Sequence, residues 1–109
     1  MKKLAFAGSA LGDLRAFPDS ARRKAGFQLD LVQRGLNPDD WKPMPIIGSG
    51  VREIRIKEVS GAFRLIYVVR FAETIFVLHA FQKKTQRTST RDIELAIARF
   101  KELERSMTK

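Results

Sequence analysis

Two parts of the chain carry most of its capacity for chemistry. In "HAFQKKTQRTST" (79–90), the only histidine, His79, is followed by Lys83, Lys84 and Arg87, and then by Arg91. In "VREIRIKEV" (51–59), Arg55 and Lys57 alternate in step with Glu53. In "AFRLIYVVRF" (62–71), Arg64 interrupts an apolar run. Cations set on strands suit the holding of phosphate, and arginine's planar fork can bind two oxygens at once. A guanidinium inside an apolar strand needs a reason, because a buried unpaired charge costs several kcal/mol. One reason is an ion pair with Glu53 or Glu58 across a hairpin. The other is a floor position in a phosphate-binding cleft, and alternation alone does not choose between them. Lys83 and Lys84 follow the next strand and could converge on the same mouth, although each taken singly reads as a solvated charge. His79 alternates with Ile75, Val77 and Phe81. It fits either a hydrogen-bonded core histidine or a proton donor or acceptor at the cleft.

Other chemistries lack their residues. There is no cysteine, which excludes disulfides and cysteine nucleophiles. With one histidine, the three or four protein ligands of a zinc site are not available in the usual form. Asp39 and Asp40, close to prolines, read as turn residues. No protein-bound metal and no cofactor are expected. No serine sits in a G-x-S-x-G elbow, and neither G-x-x-x-x-G-K-[ST] nor G-x-G-x-x-G occurs.

The formal net charge is +9 and the isoelectric point is about 10.5. So basic a small protein points to a polyanionic partner: nucleic acid, an acidic protein or an anionic membrane surface. The N-terminal "MKKLAFAGSALGDL" begins like a signal peptide. Its apolar stretch, Leu4 to Leu11, holds Gly8 and Ser9 and is followed by Asp13 and Arg15, so it is a poor h-region. No stretch nears the ~20 apolar residues that span a bilayer. The expected location is the cytoplasm, with no membrane partner.

These residues need elements to place them. At 109 residues the chain is sized for one domain, 1–109. Lys3 to Ala7 can form a short strand. Ser9 can cap a short helix carrying Leu11 and Leu14, which ends before Pro18. A second helix starts at Asp19 or Ser20, with a stripe of Ala21, Ala25, Leu29, Val32 and Leu36. "NPDDWKPMPIIGSG" (37–50) holds three prolines and two glycines and reads as a connector. Three strands, 51–59, 62–71 and 74–81, follow as an antiparallel meander, with breaks at "SG" and "AE". Ser89 and Asp92 have capping-box spacing ahead of a last helix with the stripe Ile93, Ala96, Ile97, Phe100 and Leu103. The expected class is α+β: two N-terminal helices and a C-terminal helix on a small antiparallel sheet.

On "LRAFPDSARRKAGFQL", "VREIRI", "FRLIYVV" and above all "VLHAFQKKTQRTSTRDIELAIARF", the chain resembles the RelE/ParE superfamily of bacterial toxins, in its phage-derived, HigB-like branch. The resemblance covers nearly the whole sequence. It implies a RelE-like fold and a toxin of a type II toxin–antitoxin system. RelE- and HigB-like members are endoribonucleases that cut mRNA in the ribosomal A site. They are neutralised by a cognate antitoxin, usually carrying a helix-turn-helix domain, through which operator DNA is bound. The resemblance also implies roles. Arg64 would hold the scissile phosphate. Arg55, Lys57 and Lys84 match cationic positions of the family, and Lys83 and Arg87 would bind backbone phosphates. Glu53 is the candidate general base, with His79 second for proton transfer. Cleavage would need no metal, since the RNA's own 2′-hydroxyl attacks the neighbouring phosphate. One departure is plain: RelE-like toxins carry a tyrosine near the last helix, whereas the only tyrosine here is Tyr67, in mid-strand.

Two other functions compete. A ParE-like toxin acts on DNA gyrase and needs no catalytic residues. A non-catalytic RNA-binding module would show steep salt dependence without cleavage. Such modules stack bases on aromatic platforms, whereas Phe63, Tyr67, Phe71, Phe76 and Phe81 lie in apolar runs and read as core.

Overall fold

The computed structural model describes residues 1–70 and 73–107. The elements in chain order are β1 (Lys3–Phe6), α1 (Ala10–Arg15), α2 (Asp19–Gln33), β2 (Trp41–Pro43), β3 (Val51–Glu58), β4 (Gly61–Arg70), β5 (Thr74–Lys83) and α3 (Thr90–Met107). The sheet order is β1-β5-β4-β3-β2. The α+β class and the three helices are as expected, and β3–β4–β5 form the antiparallel meander. The sheet gains a strand at each edge. β1 pairs with β5 in parallel and makes the sheet mixed, and β2 pairs with the start of β3. The β2 strand lies inside the segment read as a connector. Its last residue is Pro43, and a proline is tolerated on an edge strand that owes no further ladder bonds. Phe71, the last residue of the expected strand 62–71, and Ala72 of the expected break lie outside the described residues.

The strands form where β-branched and aromatic residues concentrate, and their alternation makes two cores. Ile54, Ile56, Phe63, Leu65, Tyr67, Ile75, Val77 and Ala80 face α1 and α2. Val51, Ile66, Val68 and Leu78 face α3, together with Met44 and Ile47 of the loop before β3. The α2 stripe buries Ala21, Ala25, Leu29 and Val32. It stops short of Leu36, which is exposed. Gly35, at φ 82°, ends the helix in the left-handed conformation that favours glycine, and the Leu36 N–H turns back to the Leu31 carbonyl at 2.9 Å.

A β-bulge in β5 decides which side His79 is on. Ile66 pairs with His79 but Tyr67 pairs with Val77, so Leu78 is the extra residue. Val77 and Ile75 keep to the α1/α2 face, while His79 and Phe81 move to the α3 face. A bulge re-aims the side chains beyond it in this way. Simple alternation, which groups His79 with Ile75 and Val77, places it on the wrong face. Arg99 of α3 fixes the same point by donating to the Leu78 carbonyl at 2.9 Å.

Helix α3 covers only one end of its face, with Ala96 and Phe100 buried. Phe100 lies directly against Gly48: a Cβ built there would clash with its ring. Gly48→Ala is therefore expected to destabilise the protein by about 1–3 kcal/mol through overpacking, read as a lower urea midpoint with unchanged m-value. The other end of the face stays open, and the cations stand there.

Candidate active site

Cross-strand register arranges the open part of the sheet in rows. Glu53, Ile66 and His79 form one row. Arg55, Arg64 and Phe81 form the next, and Lys57, Ala62 and Lys83 the one after. Side chains directly opposite in neighbouring strands stand about 4.5–5.5 Å apart at Cβ, so this register alone gathers the charges. Lys42 of β2 adds to the first row as the pairing partner of Glu53.

Glu53 is at the centre and is 0% exposed. Its Oε1 lies 3.6 Å from Arg64 Nε and 3.9 Å from Arg55 Nε. Its Oε2 accepts a hydrogen bond of 2.6 Å from the Thr88 hydroxyl. The loop between β5 and α3 is thereby fastened over the carboxylate. Arg64 is 6% exposed and donates through one terminal nitrogen to the Phe63 carbonyl at 3.0 Å. Burial pulls its pKa down and the Glu53 charge pushes it back up. An arginine stays protonated under such opposed influences. Of the two reasons for an arginine in this strand, the ion pair with Glu53 is thus present. The distances nevertheless exceed hydrogen-bond length, and Glu53 Oε1, Arg55 Nε and Arg64 Nε have no hydrogen-bond partner among the described residues. The two guanidiniums are held by charge with their Nε–H donors unused.

Lys83 extends the group. Its pKa is lowered, first by partial burial and then by Arg64, with Lys42 and Arg55 adding to the effect and Glu53 opposing it. Cations crowd around one carboxylate, and the surplus is positive. An anion that entered would relieve that crowding.

A cleft of about 390 Å³ adjoins Lys83 at the start of α3, where Lys84, Arg91 and His79 also line it. His79 is 5% exposed and stacks on Phe81 with ring centroids 4.6 Å apart. Its Nε2 lies 2.7 Å from Asp92 Oδ1. Asp92 also accepts from the Ser89 hydroxyl at 2.6 Å, and its own N–H donates to that hydroxyl at 3.1 Å. Ser89 therefore caps the helix at the expected spacing, with the Asp92 carboxylate bound to its hydroxyl where a capping box would use its backbone N–H, and the pair doubles as the fixture of His79. Asp92→Ala removes the carboxylate that both the Ser89 hydroxyl and His79 engage, while the backbone N–H at 92 still donates to the Ser89 hydroxyl. It is expected to cost about 1–3 kcal/mol, read by thermal or urea denaturation, with the loss shared rather than added in a cycle with His79→Ala.

The structure thus brings Glu53, Arg55 and Arg64 into contact and sets Lys83, Lys84 and His79 beside them. Lys57 lies on the same face, one row further out and exposed. Arg87 is exposed on the β5–α3 loop and does not line the cleft. Tyr67 is fully buried on the opposite face, so it cannot stand in for a tyrosine at the last helix. Sequence reasoning missed three participants. Lys42 lay in the connector, Thr88 is one hydroxyl in a run of three, and Asp92 was read only as a cap. Lys42's position before a proline gave no signal; the pairing with Glu53 did. Among the described residues no group of three or more His, Asp and Glu side chains is placed to hold a metal ion, and no helix is long and apolar enough to cross a membrane.

Comparison with known proteins fits this arrangement. No curated protein matches the sequence. Two solved structures of the E. coli toxin RelE share the fold. A double arginine-to-alanine variant in the free state superposes with a TM-score of 0.61 at 19% identity, covering 94% of this chain and 97% of that one. The isolated toxin gives 0.56 at 20% identity, covering 98% and 100%. The family model described as "Phage derived protein Gp49-like" matches residues 12–101. The chain belongs to this phage-derived Gp49-like family and has the fold of RelE.

Proposed function

We propose that the protein is the toxin of a type II toxin–antitoxin system, of the HigB-like branch, and that it cleaves mRNA on the ribosome. The observation that carries this reading is the pair Arg55 and Arg64. Both are turned toward one buried carboxylate, with Nε–H donors that no group takes among the described residues. The RelE likeness supports it, as does the charge of +9.

In this reading the 2′-oxygen of the RNA attacks the adjacent phosphorus as its proton leaves. The bond from phosphorus to the 5′-oxygen breaks, and that oxygen takes up a proton. The products are a 2′,3′-cyclic phosphate and a 5′-hydroxyl. Negative charge on the non-bridging oxygens peaks in between. Arg64 and Arg55, prealigned in a water-poor floor, stabilise that charge without reorganising. Glu53, the base suggested by the resemblance, has no exposed surface and binds Thr88. Its role here is to hold the two arginines in place. His79, oriented by Asp92, serves proton transfer. Lys84 holds RNA at the mouth, with Lys83, Lys57 and Arg87 along its flanks and Lys42 beside Glu53. No metal takes part in these steps. A helix-turn-helix antitoxin is the expected partner, and operator DNA is reached only through it.

The test is primer extension on mRNA from cells expressing the protein without its antitoxin. Cuts inside coding regions that disappear when a start codon is removed support the reading. A DNA-damage response with intact mRNA would instead assign the protein to gyrase.

A further inference from the structure

The open edge of β3 borders a second cleft, of about 500 Å³, on the α2 side. Strand β2 pairs only with Arg52–Ile54, so β3 from Arg55 onward has no strand on the edge away from β4. The cleft occupies that space. Its floor is Ile56 and its outer wall is Phe27, a large aromatic left 57% exposed while Ala25, Gln28 and Leu29 beside it on α2 are buried. Gln28 and Asp39 are locked together: the amide donates to the carboxylate at 2.8 Å, and the Asp39 N–H donates back at 2.8 Å. Asp40 is half exposed, 3.9 Å from Arg55. Lys24 is pinned by Glu58 at 2.6 Å and by the Lys57 carbonyl at 3.1 Å. Arg23 forms no ion pair among the described residues.

Arg55 belongs to both places. It lines this cleft, and its guanidinium also stands over Glu53 beside Arg64.

We infer that this cleft is a nucleobase subsite, taking one unstacked base of the RNA strand whose phosphate lies on Arg55 and Arg64. The inference rests on the RNA-cleaving reading and adds where the neighbouring base goes. Three features select a base. A base offers a flat π-face to Phe27. It offers amino donors to Asp40, which an acidic peptide would meet as like charge. It comes attached to a phosphate, and the lining has four cations against two carboxylates. The volume falls in the ordinary range for small-ligand sites.

The test uses single-stranded RNA made uncleavable by 2′-O-methylation and carrying 2-aminopurine at successive positions, at low salt. With the wild-type protein, fluorescence should be quenched at one position near the held phosphate. Phe27→Ala should abolish that quench and weaken binding about 5- to 150-fold, the range spanned by stacking one base on a ring. The salt slope should not change, since no charge is removed. Phe27→Trp should restore both signals. The ring is exposed, so neither substitution threatens the fold. If Arg64→Lys weakens binding but Phe27→Ala changes neither affinity nor quench, the subsite is wrong and the cleavage reading survives. If binding is indifferent to Arg64, the phosphate site itself fails and the subsite falls with it. If Phe27→Ala spares RNA binding but abolishes binding of a polyglutamate peptide, the cleft belongs to an acidic protein segment and the inference is overturned.

Discussion

Arg64→Ala is expected to slow mRNA cleavage about 10²–10³-fold, the usual cost of deleting one preorganised donor to a developing oxyanion, and to abolish growth arrest. The side chain sits in the middle of the sheet, 6% exposed, where water contributes little to charge stabilisation. Its alanine variant also leaves Glu53 buried against Arg55 alone, and uncompensated buried charge costs roughly 3–5 kcal/mol. The two effects separate in a double variant. Arg64→Ala with Glu53→Gln removes both charges, so the urea midpoint should recover while cleavage stays low. Arg64→Lys keeps the charge without the fork and should also be slow. Activity close to wild type in a folded Arg64→Ala variant would remove Arg64 from the chemistry.

Glu53 gives the second large effect, and it falls on stability. Glu53→Ala strips the counter-charge from two guanidiniums and the acceptor from Thr88. A loss of about 3–5 kcal/mol is expected. Glu53→Gln keeps an acceptor for Thr88 and should be milder. Its cleavage should fall less than about 10²-fold, with the pH–rate profile unchanged in shape. A general base would behave differently, with a loss of about 10²–10⁴ and a missing limb in the profile. The assignment therefore turns on the shape of that curve.

The same residue shows what could be read from sequence and what could not. Alternation correctly put Glu53, Arg55 and Lys57 on one face of β3, opposite Ile54 and Ile56. It could not say that α3 and the Thr88 loop bury one end of that face and leave the other open. Burial along the strand is set by elements far away in sequence. Strands β4 and β5 were legible because they are long and rich in Val, Ile and Phe. The side occupied by His79 was not, because the bulge depends on how β5 meets β4 and not on any one residue. Strand β2 was hidden by the prolines of its segment. The parallel pairing of β1 joins ends of the chain that no local pattern connects. Phe27 lies off the apolar stripe of α2, and its exposure became visible only once that helix was packed.

The central claim is that Arg55 and Arg64 hold the phosphate of mRNA that is being cut. The most direct measurement incubates the purified protein with ribosomes programmed with a defined mRNA and analyses the cleaved ends. The account predicts a cut within the A-site codon that leaves a 2′,3′-cyclic phosphate and a 5′-hydroxyl, and that is lost with Arg64→Ala. Intact mRNA, or fragments ending in a 3′-hydroxyl, would contradict it.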